Sequence, residues 1–375
     1  MKAPRIIVSV TNDLYTDQRV HKVCTFLHEK GFRVLLVGRR LKNSKSLYER
    51  PYSTYRMRLV FTKGPLFYAA FNLRLFLFLL VRRSQVLLSN DLDTLLANYM
   101  AYSLKRKTKK LVYDSHELFT EVPELTQRPY VRSCWLAIEK WIFPKLKDVY
   151  TVNESIASIY RERYAVPVGV VRNVAQSWRP RSSVSRSALG LPDDKKLIIL
   201  QGAGINVDRG AEEAVEAMRY VENAVLYIVG SGDIIPQLKK RVKEDKMERS
   251  VRFIDRVPYD QMMNYTYCAD VGLTLDKDSN PNYRYSLPNK VFDYIQAGTP
   301  VITSPIIEIV KIVEQYEVGS VIAAHEPKAI ADSINALIQD SDRLRQCKEN
   351  CVKARKIECW ENEKEKLRTY FPPAV

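Results

Sequence analysis

Short apolar segments alternate with amphipathic helical segments along nearly the whole chain, and this alternation constrains the fold more than any other feature. The apolar segments of the first half include RIIVSV, FRVLLVG, SQVLLSN, KKLVYD and DVYTVN. Those of the second half include KLIILQG, AVLYIVG, VRFIDRV and DVGLTLD. Short apolar strands separated by helices are typical of parallel sheets that are covered on both faces. We therefore predict an α/β protein with two doubly wound, Rossmann-like parallel-sheet domains in series.

The length of the chain also indicates two domains rather than one. The chain has 375 residues, whereas one core usually serves about 100–200 residues. The periodic pattern lapses over residues 168–196, which are dense in proline, serine and arginine. We therefore predict an N-terminal domain over residues 1–172 and a second domain over residues 173–352.

The excess positive charge lies entirely in the first half. Residues 1–172 contain 30 lysines and arginines against 14 acidic residues, whereas residues 173–375 contain 29 of each kind. This asymmetry predicts that the first half faces an anionic partner. Nucleic acid, an anionic membrane surface and a phosphorylated substrate all qualify.

The longest apolar run, LFYAAFNLRLFLFLLV at 66–81, has two interpretations. It contains Asn72 and Arg74 and is shorter than the roughly 20 residues of a membrane-spanning helix. We therefore predict either a buried or half-buried helix or an interfacial helix flanked by Arg82 and Arg83. The N-terminus enters a strand without the apolar region of a signal peptide, and the six cysteines show no metal-site spacing. We therefore expect a cytoplasmic protein with reduced thiols.

Two glycine-containing loops follow predicted strands of the second domain. The carboxyl ends of parallel strands share one edge of a sheet, so ligands are expected in the cleft that two such domains face. In QGAGINVDRG, Gly202 and Gly204 would let the backbone approach a phosphate beside Arg209. In VGSGD, Gly230 and Gly232 form a similar, weaker pattern. Neither loop has dinucleotide-binding or Walker spacing, and the alternative is a glycine turn with a surface arginine.

A lysine stands at the predicted start of the helix in LPNKVFDYIQAG. Lys290 follows Pro288 and Asn289 in the first turn, where the helix dipole disfavours a cation unless an anion is bound. A bound diphosphate would explain Lys290, with Asn289 beside it in the donor site. Asp293 lies one turn further on, where its carboxylate would accept hydrogen bonds from a ribose diol. The alternative is an ion pair between Lys290 and Asp293.

The segment SLPNKVFDYIQAGTPVI resembles the donor-binding segment of sugar-nucleotide glycosyltransferases of the GT-B fold, most closely those of family 4, which retain anomeric configuration. The resemblance implies that Asp293 contacts the ribose and that Tyr285 replaces an acid that contacts the donor sugar. That family has two phosphate-binding cations after the first strand of the donor domain. The lysine corresponds to Arg209 and the arginine to Gly204, so Lys290 would supply the missing cation.

A histidine of the first half resembles another residue of the same family. VYDSHELFTEVPEL is similar to a D-x-H-E segment whose histidine reaches the transferred sugar, which implies that role for His116, with Asp114 and Glu117 beside it on the acceptor side. His116 also follows a predicted strand, at a sheet edge that should face the cleft. We therefore predict that His116 is catalytic.

Two further segments resemble the family in position. TNDLYTDQRVHK is similar to the family's first loop, near the acceptor and the donor phosphate, and it implies an acceptor-side location for Asn12, Asp17 and Arg19. CWENEKEKLRTYF resembles the family's last helix. The resemblance therefore implies that residues 353–375 form a helix that crosses back to the N-terminal domain.

The tripeptide DLD, Asp91 to Asp93, has the form of a metal-binding motif of another glycosyltransferase fold. Here it stands at a predicted helix start, where acidic residues are favoured in any case. We therefore expect no metal ion and no cofactor other than the donor substrate. Arg209, Lys290 and helix N–H groups would stabilise the leaving diphosphate.

These features predict a retaining glycosyltransferase of the hexosyltransferase type. It would move a sugar from a nucleoside-diphosphate sugar to a hydroxyl of a lipid-linked or polysaccharide acceptor, in cell-envelope polysaccharide or glycolipid synthesis. The basic half suggests a peripheral location on the inner face of a membrane. The alternatives are a UDP-sugar 2-epimerase of the same fold and a non-catalytic binding protein for sugar nucleotides or nucleic acid. We expect no nucleic-acid partner, because no zinc finger or RNA-binding signature is present in the sequence.

Overall fold

A computed structural model of the chain describes residues 3–15, 17–180 and 184–372. The chain divides into two compact units. Unit 1 comprises Met1–Arg172 and Lys364–Val375, and unit 2 comprises Asn173–Glu363. The final segment that belongs to unit 1 thus begins at Lys364, later than residue 353, where the sequence analysis places the start of the last helix.

Unit 1 is built on a seven-stranded sheet. Its strands are β1 Arg5–Ser9, β2 Arg33–Arg40, β3 Ser53–Arg58, β4 Val86–Asn90, β5 Lys110–Ser115, β6 Asp148–Thr151 and β7 Val168–Val170. The strand order is β3-β2-β1-β4-β5-β6-β7, and every neighbouring pair is parallel. The helices of unit 1 are α1 Gln18–Glu29, α2 Gly64–Val81, α3 Leu92–Leu104, α4 Pro123–Thr126, α5 Pro129–Ile142 and α6 Glu154–Tyr164. Three-residue 3₁₀ helices lie at Phe119–Glu121 and Phe143–Lys145.

Unit 2 is built on a six-stranded sheet. Its strands are β8 Lys196–Gly202, β9 Ala224–Gly230, β10 Val251–Asp255, β11 Val271–Thr274, β12 Val301–Thr303 and β13 Gly319–Val321. The strand order is β10-β9-β8-β11-β12-β13, again with parallel neighbours. Its helices are α7 Ala211–Ala217, α8 Ile235–Glu244, α9 Tyr259–Cys268, α10 Pro281–Arg284, α11 Lys290–Ala297, α12 Ile307–Tyr316, α13 Pro327–Gln339, α14 Ser341–Ala354 and α15 Trp360–Glu363. A short 3₁₀ helix lies at Ser187–Leu189.

Two parallel-sheet α/β domains confirm the predicted fold class. The central strands are buried on both faces: residues 86–90 of β4 are all buried, as are residues 197–201 of β8. Burial on both faces requires apolar residues at successive positions rather than at alternate ones. This requirement explains why the central strands can be recognised in the sequence as continuous apolar runs.

Three edge or short strands are absent from the sequence prediction. β3 is an edge strand in which only Met57 is buried, and β7 and β13 have three residues each. β7 lies at the start of the segment 168–196, which the sequence analysis interprets as a domain boundary. Such strands are held by backbone hydrogen bonds to one neighbour, so their side chains need no distinctive apolar pattern.

The C-terminal segment differs from the single helix over residues 353–375 that the resemblance implies. After α15 the chain forms a 3₁₀ helix at Lys364–Thr369, and the side chains of Leu367 and Phe371 are buried. The ring of Phe371 meets that of Phe32 at a centroid distance of 6.4 Å, and Tyr370 meets Tyr150 at 4.8 Å. The segment is therefore part of the core of unit 1.

The apolar run at 66–81 lies in α2, which is half-buried. The side chains of Phe67, Phe71, Leu75 and Leu79 face the interior of unit 1. Among the described residues, α2 is also the one helix whose length and composition would suffice to cross a membrane.

Candidate functional site

Two loops at the carboxyl edge of the sheet of unit 2 are joined by backbone hydrogen bonds. The first follows β8 and leads to α7, and the second follows the neighbouring strand β9 and leads to α8. The N–H of Ser231 donates to the carbonyl of Gly202 at 3.1 Å, and the N–H of Ile205 donates to the carbonyl of Ser231 at 3.0 Å. The two glycine loops of the sequence analysis thus form one surface.

The glycines of these loops fall into two groups. At Gly230, where φ is +139°, an added Cβ would lie 1.8 Å from the carbonyl oxygen of Gly202, and at Gly232 it would lie 1.9 Å from that of Ile205. Close packing between the loops therefore requires glycine at both positions. At Gly202 and Gly204 the nearest atoms to an added Cβ are 3.7 and 3.9 Å away. Among the described residues these are ordinary van der Waals distances, so neither position is closed by close packing between the loops.

One buried carboxylate joins the two cations that the sequence analysis assigns to the diphosphate. Arg209 Nη1 donates to Asp276 Oδ1 at 3.1 Å, and Lys290 Nζ lies 3.7 Å from Asp276 Oδ2. The side chain of Asp276 is fully buried, whereas those of Lys290 and Arg209 are 14% and 29% exposed. We name these three residues the Arg209–Asp276–Lys290 cluster. It carries two positive charges and one negative charge, so it retains an excess positive charge at the edge of the sheet.

The surroundings of the cluster position Arg209 and disfavour the charged form of Lys290. The guanidinium of Arg209 lies over the ring of Tyr283 at 4.1 Å. Lys290 is the first residue of α11, where the helix dipole adds to the positive potential. Burial lowers the pKa of Lys290, Asp276 raises it, and the nearby Arg209 lowers it further. An anion bound here would relieve this unfavourable burial of charge.

Asp293 contacts Tyr259, whereas the alternative interpretation of the sequence was an ion pair between Asp293 and Lys290. Asp293 is buried in the first turn of α11, and its Oδ1 accepts a hydrogen bond from the hydroxyl of Tyr259 at 2.7 Å. Its Oδ2 lies 3.4 Å from Gln201 Nε2 at the end of β8. Burial raises the pKa of Tyr259, and the charge of Asp293 raises it further. Contacts with Tyr259 and Gln201 therefore hold the carboxylate of Asp293, one turn of α11 after Lys290.

The remaining donor-side residues lie between α10 and α11. Tyr285 directly follows α10 and is half-buried, and Asn289 is exposed at the residue before α11. The short connection 285–289 thus carries both residues to the same end of α11 as Lys290.

In unit 1, His116 lies between two carboxylates. Its Nδ1 lies 3.2 Å from Asp91 Oδ2, and its Nε2 lies 3.3 Å from Asp114 Oδ2 and 3.1 Å from Asn90 Oδ1. The backbone N–H of His116 also donates to Asp91 Oδ1 at 2.8 Å. Asn90 and Asp114 are in register on the neighbouring strands β4 and β5, which brings this His116 cluster together at the carboxyl edge of the sheet.

The carboxylates decide the charge of the imidazole. Burial lowers the pKa of His116, but Asp91 and Asp114 more than compensate and raise it to about 9. Burial raises the pKa of Asp114, whereas Arg19 and His116 lower it, with a result of about 2. At neutral pH His116 is therefore an imidazolium with two N–H donors, and it is not available as a general base.

Two of the predicted acceptor-side residues, Arg19 and Asp114, form an ion pair that supports the His116 cluster. Arg19 is buried and binds Asp114 through Nε at 3.1 Å and Nη2 at 2.7 Å. Such a bidentate pair orients the carboxylate that in turn contacts His116. Glu117, the next residue after His116, is half-buried, and its backbone carbonyl accepts the hydroxyl of Ser115 at 2.9 Å.

Asn12 and Asp17 have a local structural role in the described residues. Asp17 Oδ1 accepts the N–H of Val20 at 3.0 Å and so caps α1, while its Oδ2 accepts a hydrogen bond from Asn12 Nδ2 at 2.5 Å. The first loop thereby fixes the start of α1, the helix that carries Arg19.

The DLD tripeptide provides one residue that contacts His116 and one buried acid. Asp91 has φ of +57° and faces His116, whereas Asp93 lies in α3 and accepts the hydroxyl of Thr11 at 2.5 Å. Burial raises the pKa of Asp93, and the charge of Asp91 raises it further, to about 7. Within the described ranges, no group of three or more His, Cys, Asp or Glu side chains is arranged to hold a metal ion.

The sequence analysis did not identify Asp276 or the contact of Asp91 with His116. Asp276 is the last residue of the predicted strand DVGLTLD, but β11 ends at Thr274, so Asp276 lies in the loop at the carboxyl edge. A charged residue at the end of an apolar strand is the signal that would have identified it.

Comparison with known proteins finds a family match for part of the chain. Residues 183–354 match the family model described as glycosyl transferases group 1. An uncharacterized glycosyltransferase of Methanocaldococcus jannaschii is 26% identical over 167 residues, which are 44% of this chain and 41% of that relative. The chain spans less than half the length of the curated relatives that it matches.

Solved structures are similar over nearly the full length. Sucrose-phosphate synthase of Thermosynechococcus elongatus has a TM-score of 0.80 at 18% identity, with 98% of each chain covered. Anabaena HepE in complex with UDP-glucose has a TM-score of 0.73 at 14% identity, with 98% of this chain and 99% of that chain covered. The likeness to these solved structures supports the predicted GT-B fold.

Proposed function

We propose that this protein is a retaining glycosyltransferase of the family 4 type that uses a nucleoside-diphosphate sugar. The Arg209–Asp276–Lys290 cluster carries the proposal. It places an excess positive charge in the segment that matches the glycosyl transferases group 1 model. Gly202 and Gly204, where an added Cβ would make only ordinary van der Waals contacts, lie on a loop of the same sheet edge.

The donor diphosphate would be bound by three kinds of group. Arg209 and Lys290 would pair with its oxygens, the N-terminus of α11 would add its dipole, and the backbone at Gly202 and Gly204 would approach closely. Because HepE is solved with UDP-glucose, a UDP-sugar is a reasonable first donor to test. We propose that Asp293 contacts the ribose, and that Tyr285 and Asn289 contact the rest of the donor.

The proposed reaction exchanges one C–O bond for another on the same face of the sugar. The bond from the anomeric carbon to the diphosphate breaks while the acceptor oxygen forms the new bond. The acceptor proton passes to the leaving diphosphate, so neither a protein nucleophile nor a metal ion is invoked. Arg209 and Lys290 would stabilise the charge that develops on the leaving group. As an imidazolium, His116 would orient the substrate by donating hydrogen bonds.

We further propose that unit 1 receives a lipid-linked or polysaccharide acceptor of the cell envelope. Residues 1–172 hold all of the chain's excess positive charge, which would attract an anionic acceptor. His116 and Asp91, each about one-fifth exposed, are polar groups at the carboxyl edge of that sheet that an acceptor could contact.

Release of nucleotide from a panel of nucleoside-diphosphate sugars, with and without acceptor hydroxyls, tests the proposal. A transferase should release the nucleotide faster with an acceptor present and form a product with the anomeric configuration of the donor. A new epimer formed from donor alone would indicate a 2-epimerase instead, and binding without turnover of any donor would indicate a non-catalytic protein.

Substitution of the cluster cations tests the donor site directly. Arg209→Ala and Lys290→Ala should each weaken binding of UDP or the matching diphosphate by about 1.5–3 kcal/mol, the loss of a charge-assisted hydrogen bond. Calorimetry would measure this loss, with Lys328→Ala, an exposed residue of unit 2, as the control. Unchanged affinity in both cluster variants would refute the site.

A further inference from the structure

The outward face of α2 is apolar although it lies on the surface of unit 1. Leu66, Leu73, Leu77 and Val81 are 61%, 62%, 54% and 79% exposed. Their spacing of seven, four and four residues places them along one face of the helix. Helices at the surface of globular proteins normally present polar residues on this face. An exposed apolar stripe of this kind indicates an interaction surface.

The opposite face of α2 is fixed to the rest of unit 1. Four large apolar side chains of that face are buried, as described above. Asn72 Nδ2 donates to the carbonyl of Asp93 at 2.8 Å, and its Oδ1 accepts the N–H of Ala97 at 3.2 Å, which ties α2 to α3. Crossing a membrane would expose this core and break these bonds. A partner can therefore reach only the outward face, while α2 stays in the fold.

Positive charge surrounds the apolar stripe. Residues 51–90, which include α2, contain six lysines and arginines and no acidic residue. Arg82 and Arg83 are exposed directly after α2. Lys105 Nζ donates to the carbonyl of Leu79 at 2.7 Å, so the exposed residues 106 and 107, an arginine and a lysine, follow near the same end of the helix.

We propose that the outward face of α2 binds the surface of an anionic lipid bilayer. The leucines would enter the boundary between headgroups and acyl chains, and the basic residues would pair with anionic headgroups. A second copy of the chain fits less well, because it would bring the same basic residues against each other. Nucleic acid offers no apolar surface for the stripe. Binding to lipid does not require turnover, so this inference goes beyond the proposed glycosyl transfer and is tested separately from it.

Flotation of the full chain with lipid vesicles tests the inference. One vesicle type contains only phosphatidylcholine, and the other contains equal parts phosphatidylcholine and phosphatidylglycerol. The protein should float with the anionic vesicles, less at high salt, and little with the zwitterionic ones. Equal binding to both vesicle types, or binding to neither, would overturn the proposal.

A double substitution tests the apolar stripe. Leu73→Gln with Leu77→Gln should weaken binding to the anionic vesicles by about tenfold or more, because two exposed leucines no longer enter the bilayer. The matched control is Ile357→Gln in unit 2, where the isoleucine is 57% exposed. If the double variant binds vesicles normally but loses a self-association seen in the unmodified protein, the face is a protein interface and the proposal fails.

Charge reversal provides a second test that leaves the stripe intact. Arg82→Glu with Arg83→Glu should weaken binding to anionic vesicles about tenfold or more, whereas Lys328→Glu with Lys353→Glu, which changes the net charge equally at exposed sites of unit 2, should have a much smaller effect. If the leucine variant fails to fold, this pair decides the question. If both charge variants lose vesicle affinity equally, the net charge of the chain and not the end of α2 determines binding. That result would overturn the proposal.

Discussion

Among single residues, Asp276 has the largest influence on the proposed donor site. Its buried carboxylate lies between Arg209 and Lys290, two cations that would otherwise repel each other at close range. A buried charge is tolerated when it is paired and becomes costly when its partner is removed. Asp276 therefore acts as a positioning residue that keeps both cations in place before an anion binds.

The variant Asp276→Asn should separate this role from a general effect on folding. We expect a loss of about 3 kcal/mol in the free energy of unfolding, because two cations lose their counter-charge. Added UDP should then raise the unfolding temperature of the variant more than that of the unmodified protein, since the diphosphate replaces the missing charge. Asp278→Asn, which removes an exposed pair with Arg284, serves as the control and should change little. Equal UDP shifts in both proteins would contradict the positioning role.

His116 leads to a prediction about pH. Folding raises its pKa from 6.5 to about 9, so its contribution to stability is fully present below about pH 6.5 and is lost as the pH rises through 9. The difference in unfolding free energy between the unmodified protein and His116→Gln should therefore shrink by on the order of 2 kcal/mol between about pH 6 and pH 10. Denaturant titrations across this range measure it. Asp93, with a pKa of about 7, titrates in both proteins and largely cancels in the difference. A difference that grows with pH would show that His116 is neutral in the folded state.

At the scale of elements, the carboxyl edges of the two sheets hold the polar clusters. In unit 1 the ends of β4 and β5 bring Asn90, Asp114 and His116 together, and in unit 2 the loops after β8 and β11 bring Arg209 to Asp276. Parallel strands end at a common edge, so residues distant in sequence become neighbours there. The helix that starts at Lys290 completes the cluster of unit 2.

Two glycine substitutions on these loops should have opposite consequences. Gly204→Ala places a Cβ at ordinary van der Waals distance, 3.9 Å from Asn206 Nδ2, so stability should change by no more than about 1 kcal/mol, whereas nucleotide affinity should fall because the methyl group occupies the proposed diphosphate position. Gly230→Ala should lower the free energy of unfolding by at least about 1–3 kcal/mol, because its Cβ would overlap the carbonyl of Gly202 at a φ unfavourable for alanine. Thermal unfolding and calorimetry measure the two effects. Normal nucleotide affinity in Gly204→Ala would contradict the proposed contact.

At the scale of the whole molecule, unit 1 is built from two separate parts of the chain. Lys364–Val375 belongs to unit 1, and Phe371 is buried against Phe32. Phe371 thus packs into the core of unit 1 although it lies more than 300 residues after Phe32 in the sequence.

Truncation of this contact should destabilise unit 1. Phe371→Ala should cost about 3–5 kcal/mol in the unfolding of that unit, the usual loss for a buried phenylalanine. Arg368→Ala, in the same segment but more than half exposed, should cost far less. Two transitions in denaturant are expected for two compact units, and only one of them should shift in Phe371→Ala. Two unshifted transitions would show that the C-terminal segment does not stabilise unit 1.

The sequence predicted the secondary-structure elements better than it predicted the contacts between distant side chains. Strands such as β4 and β8 were predicted because burial on both faces requires a continuous run of apolar residues. The edge strand β3 was not predicted, because its single buried residue produces no apolar run. Lys290 was correctly placed at the start of a helix, since a local pattern determines helix starts. Its partner was not predicted, because Asp276 reaches it only through the folding of the sheet and α11 together.

The sequence by itself determined the fold class, the concentration of positive charge in residues 1–172 and the residue types available at each strand end. These follow from local periodicity and composition, which need no knowledge of distant contacts. Only the tertiary structure decided which carboxylate faces which cation, and therefore that the pKa of His116 is raised and that Arg209 and Lys290 share Asp276. The physical reason is that burial and charge pairing act over a few ångströms in space, between residues that lie far apart in the sequence.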